Sequence, residues 1–267
     1  MTTDAPIGIF DSGIGGLTVF RTIRRLLPQE SILYVGDTAR VPYGNKTAET
    51  VTGYSLQIAQ WLVNHGAKIV VVACNTSSAV ALPALQQSLK VPVIGMIGPG
   101  ARAAVRSSHT QRIGVIGTAR TIASAAYDNA IQGLAAKAVV ASQACPLLVS
   151  LVEEGWLSGP IAESVVRRYL EPLQKSNVDT VILGCTHYPL LAPVIQDCLG
   201  SSVTLIDSGE AAAEVVAETL VSQNLLASPA HKPQWQCGVT DMPAPFAEIA
   251  HRFLDSPLPQ IRHVHLE

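Results

Sequence analysis

Eight short apolar runs constrain this chain more than any other feature. They are Ile7–Phe10, Ile32–Val35, Ile69–Ala73, Val91–Gly95, Ile113–Ile116, Ala138–Ala141, Thr180–Leu183 and Val203–Ile206. Each is too short for a buried helix and rich in β-branched or small residues. Most end at Gly, Ser, Thr or Asn, so they read as strands buried on both faces. Between them lie stretches with helical spacing, including Thr47–His65, Thr121–Gln132 and Ala162–Lys175. Strand–helix alternation of this kind predicts an α/β fold with mainly parallel sheets and crossover helices.

The runs also echo one another. "IGIFDSG" at Ile7 returns as "IGVIGTA" 106 residues later. "VVVACNT", ending at Thr76, returns as "VILGCTH" after 111, and "VPVIGMI", ending at Ile97, as "SVTLID" after 110. Strand–loop sequences in α/β proteins resemble each other in general, which is the plain explanation. The alternative is two similar, pseudo-symmetric α/β domains with an active site in the cleft between them. The first domain would comprise residues 1–97 plus 208–267, the second residues 98–207. Pro, Ser and His between Ser228 and Pro233 mark a loop in the returning segment, and the closing Leu266-Glu267 carries no weight.

Composition narrows the function. Charged residues are 14% and hydrophobic ones 48%, against a typical charged share of about 25%, so the chain should pack rather than stay disordered. The formal net charge is -2 and Lys and Arg are not clustered, so no nucleic-acid footprint is expected. An anionic ligand is still compatible, because helix N-termini and loop amides bind carboxylates. No run nears the roughly 18 apolar residues of a membrane span. The start, Met-Thr-Thr-Asp, lacks a basic leader. A soluble, cytoplasmic protein is expected. Five cysteines, an odd number, fit a reducing compartment better than a disulfide framework.

Open α/β sheets place ligands beyond the C-terminal ends of their strands. The residues there are Asp11-Ser12-Gly13, Gly36-Asp37-Thr38, Cys74-Asn75-Thr76, Gly117-Thr118, Cys185-Thr186-His187 and Asp207-Ser208-Gly209. The loop Asp11–Gly16 can offer amides to an anion, but it does not fit G-x-G-x-x-G, and no Walker A sequence occurs. It is either a tight turn or a site wall with Asp11 as a working carboxylate.

Cys74 and Cys185 occupy echoed positions, each followed by Asn, Thr or His. Each precedes an expected helix N-terminus, which should lower the thiol pKa. A single cysteine of this kind is often merely buried; two at equivalent places point to chemistry. Cys145, Cys198 and Cys237 lack that context. Cys185 and His187 lie closer together than usual zinc ligands, so no metal is expected. There is no C-x-x-C for redox work, and a Cys–His nucleophile would need one cysteine rather than two. Two thiols on opposite faces of a substrate suit proton removal from one face and return to the other. His187 would serve Cys185, unless it only caps the Tyr188-Pro189 turn. Asp11 would serve Cys74 and raise its pKa. None of the six lysines is called on as a Schiff-base anchor, and no cofactor is expected. Donors for carbanion-like charge would be Ser12, Asn75, Thr76, Thr118 and Thr186.

The segments "GIFDSGIGGLTV", "YVGDTARVPYGNKT", "ACNTSSA", "GVIGT" and "LGCTHYPLL" resemble those of the bacterial glutamate racemase family in order and spacing. The resemblance runs from Ile7 to about Gly209. It implies cofactor-independent interconversion of L- and D-glutamate, which supplies D-glutamate for peptidoglycan, and often a homodimer. It places the catalytic cysteines on Cys74 and Cys185, with Asp11 and His187 assisting. It places glutamate contacts on Asp11, Ser12, Pro42, Tyr43, Gly44, Asn75, Thr76, Thr118, Thr121, Thr186 and His187, and a further carboxylate on Glu153. Asn45-Lys46-Thr47 departs from the Pro-Arg-Ser of many relatives. The residues alone do not choose glutamate over aspartate. An aspartate or hydantoin racemase, a maleate isomerase relative and a non-catalytic amino-acid-binding protein remain alternatives.

Overall fold

The computed structural model describes residues 2–254 and 260–266; Met1, residues 255–259 and Glu267 lie outside the described residues, including part of the returning segment assigned to the first domain. In chain order, β1 (Ile7–Asp11), α1 (Leu17–Leu26), β2 (Ile32–Gly36), α2 (Ala48–Asn64), β3 (Ile69–Val72), α3 (Asn75–Val80), α4 (Leu82–Ser88) and β4 (Val93–Gly95) form the first stretch. The second contains α5 (Ile97–Ser107), β5 (Arg112–Gly117), α6 (Ala119–Ala123), α7 (Ala126–Leu134), β6 (Val139–Ala144), α8 (Leu147–Glu153), α9 (Pro160–Lys175), β7 (Thr180–Gly184), α10 (Ala192–Leu199) and β8 (Thr204–Asp207). The chain returns through α11 (Ser208–Ser222), β9 (Trp235–Val239), α12 (Pro243–Ala250) and β10 (Ile261–His263).

Two parallel sheets result. One has the order β10-β9-β2-β1-β3-β4, the other β6-β5-β7-β8. The segment β2-β1-β3-β4 repeats as β6-β5-β7-β8, so the echo in sequence is an echo in topology. Its three members fall on β1 and β5, β3 and β7, and β4 and β8. All eight apolar runs are strands, and β1, β3 and β7 are buried at every position, as expected for strands covered on both faces. A single apolar cluster joins the halves, including Ile9 and Leu17 from one and Leu183 and Val181 from the other.

Two expectations change. The helix expected over Thr121–Gln132 is broken at Ala125, whose φ of 53° is left-handed. Ser124 makes that break workable: its hydroxyl donates to the Thr121 carbonyl at 2.6 Å and accepts the Ala126 N–H at 3.2 Å. The strand β9 and the edge strand β10 are not anticipated by the sequence. "WQCGV" and "IRH" carry too few apolar residues to stand out, and their pairing with β2 and with each other is a tertiary effect.

At the opposite end of the first sheet, Lys68 and Glu30 form a buried ion pair of 2.5 Å. The Lys68 ammonium also donates to the carbonyls of Thr3 and Leu225, and Glu30 accepts the Ala227 N–H. This pair ties the returning chain to the first strands. Removing one partner strands a buried charge, so Lys68→Met should cost about 3 kcal/mol. Urea unfolding monitored by circular dichroism checks this.

Candidate active site

The C-terminal ends of β1, β3, β5 and β7 converge on a cavity of about 210 Å³. That is below the roughly 300–1,000 Å³ typical of drug-sized sites, and suits a small metabolite. Cys74 and Cys185, each 6% exposed, both line it. Cys74 follows β3 and caps α3; Cys185 follows β7, the equivalent strand of the other half. Ser12, Pro42, Tyr43, Gly44, Asn75, Thr76, Thr118, Glu153, Thr186 and His187 line the same cavity. Asp11 and Thr121 do not reach it and stand directly behind its wall.

The wall is braced across the two halves. Thr76 and Thr118 are 2.9 Å apart through their hydroxyls, and Thr121 bonds both, at 3.3 and 3.0 Å. Tyr127 donates to the Asn75 side-chain oxygen at 2.6 Å. The Tyr43 hydroxyl donates to the buried Asp37 carboxylate, fixing the turn over the cavity. Two glycines permit the close approach of the halves. A Cβ on Gly15 would lie 2.2 Å from Thr186 Oγ1 and 2.5 Å from the His187 ring, and one on Gly44 would lie 2.9 Å from Thr118 Cβ. Gly15→Ala therefore displaces the Thr186 hydroxyl and the His187 ring, with an expected cost of about 1–3 kcal/mol, readable in the thermal midpoint.

The two thiols have different surroundings. The Cys74 thiol donates to Ser12 Oγ at 3.7 Å. Burial, and then the carboxylate of Asp11, push its pKa up to about 11. The expected lowering by a helix N-terminus is thus overturned for Cys74: α3 has only six residues, and desolvation of the thiolate outweighs its amides. Asp11 itself is 1% exposed and accepts the Gly13 N–H at 3.0 Å; burial raises its pKa. Cys185 is followed not by an α-helix but by a 3-10 turn, Tyr188–Leu191. His187 makes no side-chain cap to that turn. Its Nδ1 lies 3.9 Å from Cys185 Sγ, and its Nε2 lies 2.9 Å from Glu153 Oε1. Burial alone would lower its pKa, but the hydrogen bonds to Cys185 and Glu153 prevail and raise it to about 10. The pair of partners thus favours the protonated ring beside the Cys185 sulfur. Phe253 packs edge-on against that ring at 5.5 Å, and Arg252 donates to the Glu153 carbonyl.

Pro146, Val149 and Ser150 also line the cavity, as do Gly13, Val41, Asn45 and Ala119. The first three follow β6, which runs to Ala144 rather than Ala141. The overlooked signal was this longer strand end, hidden by the polar Ser142-Gln143. Among the described residues lining the cavity there is no Lys or Arg. Among the described residues, no group of three or more His, Cys, Asp or Glu is placed to hold a metal ion. No helix among them is long and apolar enough to cross a membrane.

Residues 7–216 match the Asp/Glu/Hydantoin racemase family. A glutamate racemase of Geobacter metallireducens is 51% identical over 261 residues, covering 98% of this chain and 97% of that protein. The chain belongs to the glutamate racemase family. It is therefore an isomerase, an amino-acid racemase. The crystal structure of a glutamate racemase isoform from Bacillus anthracis is similar, with a TM-score of 0.95, 41% identity, and coverage of 99% of this chain and 98% of that one. A glutamate racemase from Francisella tularensis, solved in complex with D-glutamate, has a TM-score of 0.93 and 37% identity, and each chain is covered to 99%. The two-domain α/β plan is shared with these structures.

Proposed function

We propose that this chain interconverts L- and D-glutamate without a cofactor, by proton transfer between two cysteines. The observation that carries the reading is the placement of Cys74 and Cys185 at equivalent strand ends on one small cavity. One thiolate takes the α-proton from one face of the amino acid. The electron pair left on Cα is held as an enolate-like anion, and the thiol of the other cysteine gives its proton to the opposite face. The product leaves an enzyme with the two protonation states exchanged.

His187, protonated at neutral pH, offers a counter-ion to a Cys185 thiolate, and Glu153 holds the ring. Cys74, with its pKa raised, starts as the thiol. Once ionised it is a stronger base for that shift, and Asp11 sharpens it. Ser12, Asn75, Thr76, Thr118 and Thr186 are the donors aimed at the substrate's carboxylates, with the amides of α3 and α6. Tyr43, Pro42 and Gly44 shape the turn over the cavity. Asp11 and Thr121 act from behind the wall, through Cys74 and the threonine cluster.

The relative from Francisella tularensis, solved with D-glutamate, supports glutamate as the substrate. Supply of D-glutamate for peptidoglycan, a cytoplasmic location and a homodimer belong to the same reading. So do domain limits at residues 1–97 plus 208–267 and 98–207. Light scattering tests the dimer. Incubation with L-glutamate and with L-aspartate, followed by optical rotation, tests the substrate: rotation should decay to zero with glutamate. Decay with aspartate alone would assign the chain to the other substrate.

A further inference from the structure

Ser77 is fully buried, and its hydroxyl has no hydrogen-bond partner. Such a group is costly to leave unmade. It occupies the third position of α3, whose N-cap is Cys74. In a helix the third residue and the N-cap face each other, which is why an N-cap side chain accepts from the amide there. No side-chain cap hydrogen bond joins the Cys74 thiol to α3, but the Ser77 amide, the Ser77 hydroxyl and Ser12, whose Oγ accepts from the thiol at 3.7 Å, are the groups placed to donate to this sulfur once it ionises.

A neutral thiol is a poor acceptor and does not satisfy the serine; a thiolate is a strong one. We infer that the Ser77 hydroxyl is a donor held in reserve for the ionised Cys74 sulfur, which makes Ser77 a positioning residue for proton transfer at Cys74. The inference rests on the two-thiol reading above.

The other groups acting on this sulfur do not supply a donor charge. Asp11, at the end of β1, raises the thiol pKa, whereas Ser77 and Ser12 lower it. Tyr34 from β2 and Tyr43 from the turn over the cavity are neutral phenols whose own pKa values are raised, chiefly by burial and least by Cys74. Tyr54 of α2 and Val51 pack in the same apolar group. With no cation in that set, hydroxyl and amide donors are what remains to hold a thiolate.

The test is the pH dependence of iodoacetamide alkylation, read separately at Cys74 and Cys185 by peptide mass spectrometry on the full-length enzyme. Ser77→Ala should move the Cys74 midpoint up by about one pH unit, the worth of one charge-assisted hydrogen bond. The Cys185 midpoint should stay in place, and Ser77→Thr should restore the Cys74 value. Racemisation in Ser77→Ala should fall about tenfold in kcat/KM, equally in both directions. Equal Cys74 midpoints in the wild type and Ser77→Ala would overturn the inference, as would an equal displacement at both cysteines. Alkylation reports the thiol whatever the reaction. A failure here leaves the two-thiol reading to the cysteine variants, and a failure there leaves the Ser77 shift measurable.

Discussion

Cys74→Ser and Cys185→Ser are each expected to lower racemisation by about 10²–10⁴-fold, the range a positioned proton donor or acceptor supplies. Serine keeps the volume and loses the acidity, so the cavity survives while the proton relay does not. The losses should be similar, although the two sites differ. Cys74 sits beside Asp11 with a raised pKa, and Cys185 sits beside His187. Mirror-image substrate and product have equal free energy, so kcat/KM must match in the two directions for any variant. Asymmetry can appear only as a split between kcat and KM. Each variant should still wash the α-deuteron out of the one enantiomer that faces its remaining thiol. Wild-type turnover in either variant, measured by circular dichroism of glutamate, would exclude the two-base relay.

His187→Asn is expected to cost about 10³-fold and to remove the alkaline limb of the rate profile. The wild-type ring is held at a pKa near 10 by Cys185 and Glu153, against burial, so kcat/KM should fall as pH rises through that value. Glu153→Gln keeps the hydrogen bond but removes the charge, and should move the limb to lower pH. The sign for stability follows from linkage. A folded pKa of about 10 against the ordinary histidine value of 6.5 means the ring's contribution is complete below pH 6.5 and disappears as pH rises through 10. The wild type should therefore lose stability over that window relative to the Asn variant. Denaturant midpoints across the pH range check this.

Much of the fold could be read from the apolar runs because parallel strands buried on both faces announce themselves in Val and Ile. The repeat of "VVVACNT" in "VILGCTH" marks β3 and β7 as equivalents, and so pairs the two cysteines by sequence alone. The returning chain was less legible. β9 and the edge strand β10 have mixed polarity and are stabilised by the strand each adds to rather than by their own pattern. The site divided the same way. The residues after β1, β3, β5 and β7 lie on the cavity, whereas Asp37 and Thr38 after β2, Asp207 and Ser208 after β8, and also Asp11 and Thr121, do not line it. Local sequence places a residue at a strand end but does not say whether its side chain turns inward. The state of the Cys74 thiol was misjudged for a related reason: a helix N-terminus can be read from sequence, but the burial that outweighs it cannot.

The central claim is a proton exchanged with solvent between two faces of one carbon. Proton NMR of L-glutamate in heavy water with the enzyme tests it most directly. The two-thiol relay predicts that the first D-glutamate formed carries deuterium at Cα, while the L-glutamate still present retains its proton. D-Glutamate that keeps the original α-proton, or deuterium in both enantiomers from the first turnovers, would contradict it.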